Sequence, residues 1–160
     1  MPMLYILSGL PFAGKSSFAK KAEECTTLKR VSFDELWTSL VTVDPGITYE
    51  LANAEIEKLL QHNLEQGIST IYDSTNLKEN HRDALISIAH NTGSEYKIVY
   101  FYISVEEMKR RQAESLIHKT HPIVCEENIR AALEHNCVPD GCIVIETEAD
   151  KGRLLREMQN

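Results

Sequence analysis

Apolar and polar residues follow two rhythms along the chain. Short, nearly continuous apolar runs at 4–7, 28–33, 68–72, 97–103 and 142–145 have the length and β-branched or aromatic content of buried strands. Between them, apolar residues recur with a helical period over 15–24, 34–40, 48–66, 79–91, 105–116, 126–135 and 149–159. In the longest of these, Tyr49, Ala52, Ile56, Leu59, Leu60 and Asn63 share one stripe. Asp44-Pro45-Gly46 reads as a turn, Gly67 and Gly93 close helices, and Pro122 interrupts the helical pattern near the C-terminal third. Strands alternating with helices predict parallel pairing through right-handed crossovers. The expected architecture is a three-layer α/β/α sandwich, with residues 1–160 as one domain.

Composition narrows the partners. Hydrophobic residues make up 42% of the chain and charged residues 26%, an ordinary globular balance. The formal net charge of −7 disfavours broad electrostatic capture of a polyanion, while leaving room for a local basic cleft. No apolar run approaches the ~20 residues of a membrane span. The opening MPMLYILSGL lacks a basic flank and reads as a strand rather than a leader. Cys25, Cys125, Cys137 and Cys142 form no C-x-x-C pair, so reduced thiols and a cytoplasmic location are expected. His118 and His121 have a spacing that could hold a metal. With no further ligand set nearby, a solvated turn beside Pro122 is the expected reading.

The chemistry enters at GLPFAGKSS, directly after the first apolar run. Gly9 to Ser16 matches G-x-x-x-x-G-K-[ST] in full. Such a loop curls so that successive N–H groups face phosphate oxygens. The lysine reaches the β and γ phosphates, and the serine hydroxyl ligates Mg²⁺. The strand before and the helix after are the context the motif requires, and the helix adds its positive N-terminal end. Gly9, Pro11, Phe12, Ala13, Gly14, Lys15, Ser16 and Ser17 are therefore the predicted nucleotide-binding residues.

A phosphoryl-transfer site also needs an acceptor-orienting group, a metal support and cations over the transferring phosphate. Open α/β sheets gather such groups at the carboxyl ends of their strands. Asp34 follows the run KRVSF, where it could activate an incoming hydroxyl or cap the next helix; its neighbour Glu35 is expected at the surface. Asp73 ends the run ISTIYD, where it could support Mg²⁺ or meet the acceptor, with Thr75 and Asn76 just beyond and Arg82 on the next helix. Arg110 and Arg111 follow the fourth strand, within a predicted lid of residues 106–128. Either could fold over the nucleotide, or lie on a solvated face paired with Glu106 and Glu107. Arg130 is a second candidate in that lid. Trp37, Tyr49 and Phe12 could each line the acceptor pocket, with core packing the default for Trp37 and Tyr49.

LSGLPFAGKSS, VSFDE, IYDSTNLKENHRDAL and FYISVEEMKRRQ occur in this order over most of the chain. Together they resemble the P-loop kinases that include the 5′-hydroxyl kinase domain of polynucleotide kinase, zeta toxins and chloramphenicol phosphotransferase. The resemblance implies a five-stranded parallel sheet in the order 2-3-1-4-5 with a small helical lid, and ATP with Mg²⁺. By position it implies Lys15 and Ser16 as phosphate and metal residues, Asp34 as the acceptor-activating base, Asp73 with its neighbours as metal or acceptor residues, and Arg111 or Arg110 as the lid arginine. Two departures bear on the acceptor. Polynucleotide kinases carry an arginine at the place of Trp37, and a second lid arginine where Glu114 or Ser115 stands here. The expected activity is therefore transfer of the γ-phosphoryl group of ATP to a hydroxyl of a small-molecule or nucleotide-like acceptor. A 5′-hydroxyl polynucleotide kinase and a non-catalytic ATP-binding protein are the alternatives.

Overall fold

The structure is a computed structural model that describes residues 1–118 and 125–160. Its elements run β1 (Met3–Gly9), α1 (Lys15–Cys25), β2 (Lys29–Ser32), α2 (Phe33–Val43), α3 (Tyr49–Glu65), β3 (Thr70–Asp73), α4 (Glu79–Asn91), β4 (Glu95–Phe101), α5 (Val105–His118), α6 (Glu126–Glu134), β5 (Ile143–Ile145) and α7 (Glu148–Gln159). The strands form one parallel sheet in the order β2-β3-β1-β4-β5, as the resemblance implies.

The central strand explains the sandwich. Side chains alternate faces along a strand, so β1 feeds two cores. Leu4 and Ile6 join Ile56, Leu60 and Leu64 of α3 and Leu85 and Ala89 of α4. Tyr5 and Leu7 join Phe18, Ala19 and Ala22 of α1, Met108 of α5, Ile129 of α6 and Leu154 of α7. A strand covered on both sides must be apolar throughout, which is why MLYIL reads as a continuous run rather than an alternating one. The five-strand order reverses beside β1, between its neighbours β3 and β4. That reversal opens the crevice at the carboxyl ends of the strands where ligands bind in such sheets.

Two local expectations change. The helix after β2 begins at Phe33, not Asp34, and its cap is the Ser32 hydroxyl, which accepts from the Glu35 N–H at 3.4 Å. Asp34 is therefore not needed as a cap. On α3 the buried stripe is Ala52, Ile56, Leu60 and Leu64, whereas Tyr49 is 44% exposed. The core role expected for Tyr49 does not hold, because it sits at the very start of the helix, beyond the sheet it would have to cover. The cysteines are free thiols, with Cys25, Cys125 and Cys137 exposed. Among the described residues no helix is long and apolar enough to cross a membrane. His121 and part of the expected lid, residues 119–124, lie outside the described residues.

Candidate functional site

The loop between β1 and α1 is shaped by backbone geometry. Gly9 has φ 142°, and a Cβ there would lie 2.6 Å from the Phe101 carbonyl oxygen of β4, so only glycine fits so close to the neighbouring strand. Gly14 turns the chain into α1 with φ 93°, and α1 starts at Lys15 with no side-chain cap on its first turn. Those N–H groups and the positive helix end face the loop's hollow, where an anion would bind. Phe12 holds φ 66°, an uncommon conformation for a bulky residue, and its ring packs on the core beneath.

Lys15 lies across this loop. Its ammonium donates to the carbonyls of Gly9 at 2.9 Å and Leu10 at 2.6 Å. Burial pulls its pKa down to about 8, opposed by the nearby charges of Asp73 and Asp34. Ser16, the next residue, donates from Oγ to Asp73 Oδ1 at 3.2 Å. These two oxygens come from different elements and meet at one point. Adjacent oxygen ligands of an octahedral Mg²⁺ with ~2.1 Å bonds stand about 3 Å apart, so the pair fits the ion. Mg²⁺ characteristically takes one or two protein oxygens and completes its shell with phosphates and water. This agrees with the lack of any cluster of three or more His, Cys, Asp or Glu among the described residues.

The other oxygen of Asp73 is held by a residue the sequence reading missed. Arg30 of β2 donates to Asp73 Oδ2 from Nε at 3.2 Å and from a terminal nitrogen at 2.8 Å, and its second terminal nitrogen reaches Glu35 at 2.8 Å. The Arg30 and Asp73 side chains are 8% and 4% exposed, so this is a buried ion pair; Glu35, at 63%, is at the surface as expected but anchors the far side of the guanidinium. A signal existed. Ser32 pairs with Asp73 in the sheet register, and Arg30, two residues back, must share its face.

Asp34 completes the cluster from the first turn of α2. Asp34 keeps an exposed surface, but the protein packed around its carboxyl raises its pKa, Asp73 raises it further, and Lys15 and Arg30 pull it back. Asp34 stands two residues past Ser32, the register partner of Asp73, whose carboxylate meets Ser16 and Arg30.

The residues after β3 act on the loop rather than in the space before it. The Thr75 carbonyl accepts from Gly9 N at 3.0 Å, and the Thr75 side chain is exposed. Asn76 is buried with φ 40°, donates to the Leu7 carbonyl at 2.7 Å, and accepts from the Ser8 hydroxyl at 3.1 Å. Arg82 is buried and donates to the Asn76 and Leu77 carbonyls at 3.0 and 2.6 Å. Asn76 and Arg82, expected at the acceptor, thus turn to main-chain carbonyls and fasten this segment beneath the phosphate loop.

The two lid arginines part ways. Arg111 donates to the Phe12 carbonyl of the phosphate loop at 2.9 Å and to Glu107 at 2.9 Å. Arg110 is held by Glu107 and Glu114 on the exposed face of α5, the partner being Glu107 rather than the expected Glu106. Arg130 is exposed on α6. Lys151 of α7, which no motif marks, brings its ammonium to 3.4 Å from where a Gly14 Cβ would stand, and pairs with Glu148. Trp37 stacks on Phe33 with ring centres 6.2 Å apart, half-buried at the edge of the space in front of Asp34.

Comparison with known proteins bears on the family and the fold. An L-seryl-tRNA(Sec) kinase of Methanococcus maripaludis is 29% identical over 116 residues, 70% of this chain and 46% of that protein. The chain thus spans less than half the length of this relative. The structure of an APS kinase, CysC, of Mycobacterium tuberculosis, in complex with AMPPNP and APS, superposes with a TM-score of 0.67 at 17% identity, over 98% of this chain and 94% of that one. A gluconokinase of Sinorhizobium meliloti superposes with a TM-score of 0.65 at 17% identity, over 99% and 90%. The AAA domain family model AAA_33 matches residues 4–135, and the chain therefore belongs to that family of P-loop kinases.

Proposed function

We propose that this protein is an ATP-dependent kinase that moves the γ-phosphoryl group to a hydroxyl of a small-molecule or nucleotide-like acceptor. The observation that carries this reading is the position of Asp34. Ser32 does the capping, which leaves the Asp34 carboxylate free of that task, two residues past the register partner of Asp73 and within electrostatic reach of Lys15 and Asp73.

The loop amides and Lys15 hold the β and γ phosphates of ATP, with the first turn of α1 beneath them. Ser16 and Asp73 would hold Mg²⁺, which would supply positive charge to offset that of the phosphates. Arg30 fixes the Asp73 carboxylate so that Oδ1 faces Ser16. Asp34 orients the acceptor hydroxyl and takes its proton. The acceptor oxygen bonds to the γ phosphorus, the bond from that phosphorus to the β–γ bridging oxygen breaks, ADP leaves, and Asp34 passes the proton to water. Arg111, already on the Phe12 carbonyl, covers the transferring group and spreads its charge. The chemistry is mostly positioning and charge stabilisation, because phosphoryl transfer asks for little covalent help.

The test is acceptor-dependent ADP release across sugars, nucleosides, antibiotics and 5′-hydroxyl oligonucleotides. A kinase gives release with one acceptor class, and Asp34→Asn removes it while keeping AMPPNP affinity. Wild-type rates in Asp34→Asn overturn the assignment.

A further inference from the structure

Four rings line up across the acceptor side of the cleft, drawn from three helices. Trp37 stacks on Phe33 at 6.2 Å with their planes 9° apart; Phe33 meets Tyr49 at 5.5 Å; Tyr49 stacks on His81 at 6.3 Å. Phe33 alone of the four packs against the core on this side of the sheet. Trp37 and His81 are half-buried and Tyr49 is exposed, so the row offers π faces to solvent rather than filling the interior. It also belongs to the candidate site. Phe33 precedes Asp34 in the chain, and Trp37 lies one turn further along the same helix. The pKa of the buried Tyr72 phenol, on β3, is raised first by burial and then by nearby groups that include Glu57 and Asp34. The row therefore starts at the acceptor carboxylate.

Charges of both signs stand along the row. Glu50 and Glu57 stand near the Tyr49 hydroxyl, and after burial they are what raises its pKa. Lys78 and His135 lie near His81, whose pKa is lowered first by burial, so that ring is neutral at pH 7. Asp34 and Asp73 close the other end.

Resting on the kinase reading above, we infer that the row is the acceptor platform, and that the acceptor is an alcohol carried on a heteroaromatic ring system, as in a nucleoside. The planar ring stacks on an exposed member of the row, with its hydroxyl turned toward Asp34, one helical turn from Trp37. Base-on-aromatic stacking contributes about five- to a hundredfold in affinity per ring.

Trp37 is the single tryptophan of the chain, so its emission reports directly on the platform. The protein saturated with Mg·AMPPNP is titrated with adenosine, uridine, glucose and adenosine 3′-monophosphate. Saturable quenching by the nucleosides and by the 3′-phosphate, and none with glucose, is the expected result. Tyr49→Leu weakens nucleoside binding about tenfold or more with AMPPNP affinity unchanged, and His81→Ala repeats the effect from a third helix. Acceptor-dependent ADP release is measured in parallel. Release with glucose but no response to any nucleoside overturns the platform and leaves the kinase reading standing. Nucleoside quenching that Tyr49→Leu relieves, without ADP release from any acceptor, supports the platform and removes the kinase reading.

Discussion

The two ends of the cleft are built from different materials. The phosphate end is backbone: a loop bent at Gly9 and Gly14, a helix start, and a carbonyl framework tied to the Thr75 and Asn76 segment. The acceptor end is side chain: Asp34, Trp37, Tyr49 and His81, brought from α2, α3 and α4. A backbone cradle needs residues at fixed spacing in one short stretch, and every protein that grips a polyphosphate this way needs the same ones. A side-chain surface needs only the right shapes from distant segments, and it can change while the cradle stays. Asp73 belongs to both ends, since Ser16 of the cradle holds one of its oxygens and Arg30 of the acceptor-side edge strand holds the other.

That shared residue is where the two ends can be uncoupled most forcefully. Arg30→Ala leaves the Asp73 carboxylate buried without its cation, and breaking such a pair costs about 3–5 kcal/mol. Thermal denaturation shows it as a clearly lowered Tm. Mg·AMPPNP recovers part of the loss in the variant, because the ion takes over as partner of Asp73. Loss of the same size with and without Mg·AMPPNP would separate Asp73 from the metal.

Arg111 and Arg110 give the next contrast, within a single turn of α5. Arg111→Ala is expected to lower kcat by about 10²–10³-fold, the usual effect of removing one donor to a transition-state oxygen. Arg110→Ala leaves kcat within about twofold, since exposed ion pairs on a helix contribute little. Equal losses from the two substitutions would remove the distinction.

The pH dependence separates the ends by sign. Lys15 in the free protein deprotonates near pH 8, and bound phosphates hold its proton more tightly, so binding takes up a proton above that pH. The affinity for AMPPNP therefore falls as pH rises past about 8, approaching tenfold per pH unit. Asp34 acts at the other side. Its pKa is raised by burial and by Asp73, so transfer declines on acidification earlier than an ordinary carboxylate would dictate, with AMPPNP binding little affected. Isothermal titration for the first and initial rates for the second distinguish these limbs.

The smallest effect belongs to Phe12. Its φ of 66° is strained for a bulky residue, and Phe12→Gly relieves that strain while giving up ring packing against the core. The two changes oppose each other, so the shift in Tm is expected to be modest; a loss above about 3 kcal/mol would mean the ring matters more than the bend.

These contrasts also mark what could be read without coordinates. The cradle was legible because G-x-x-x-x-G-K-S after an apolar strand has one physical use; the layered sandwich followed from strand–helix alternation, and the sheet order from the family resemblance alone. Asp34 and Asp73 were legible from their places at strand ends. Arg30 was not, because a basic residue in a short edge strand looks like solvent-facing charge until Ser32 and Asp73 are seen to pair. Asn76 and Arg82 were read as acceptor groups because they follow Asp73, yet main-chain carbonyls claim them. The aromatic row was invisible as a unit, since its members are scattered from Phe33 to His81 and Tyr49 fits the helical stripe of α3 as well as any core residue.

The central claim is that the bend from Gly9 to Ser16, with Lys15 across it, grips the phosphates of a nucleoside triphosphate. Calorimetric titration of Mg·AMPPNP into Lys15→Ala, with circular dichroism confirming an unchanged fold, tests this directly. The expected result is a loss of affinity of about a hundredfold, from removing a charge-assisted contact to the phosphates. Wild-type affinity in that variant would contradict the account.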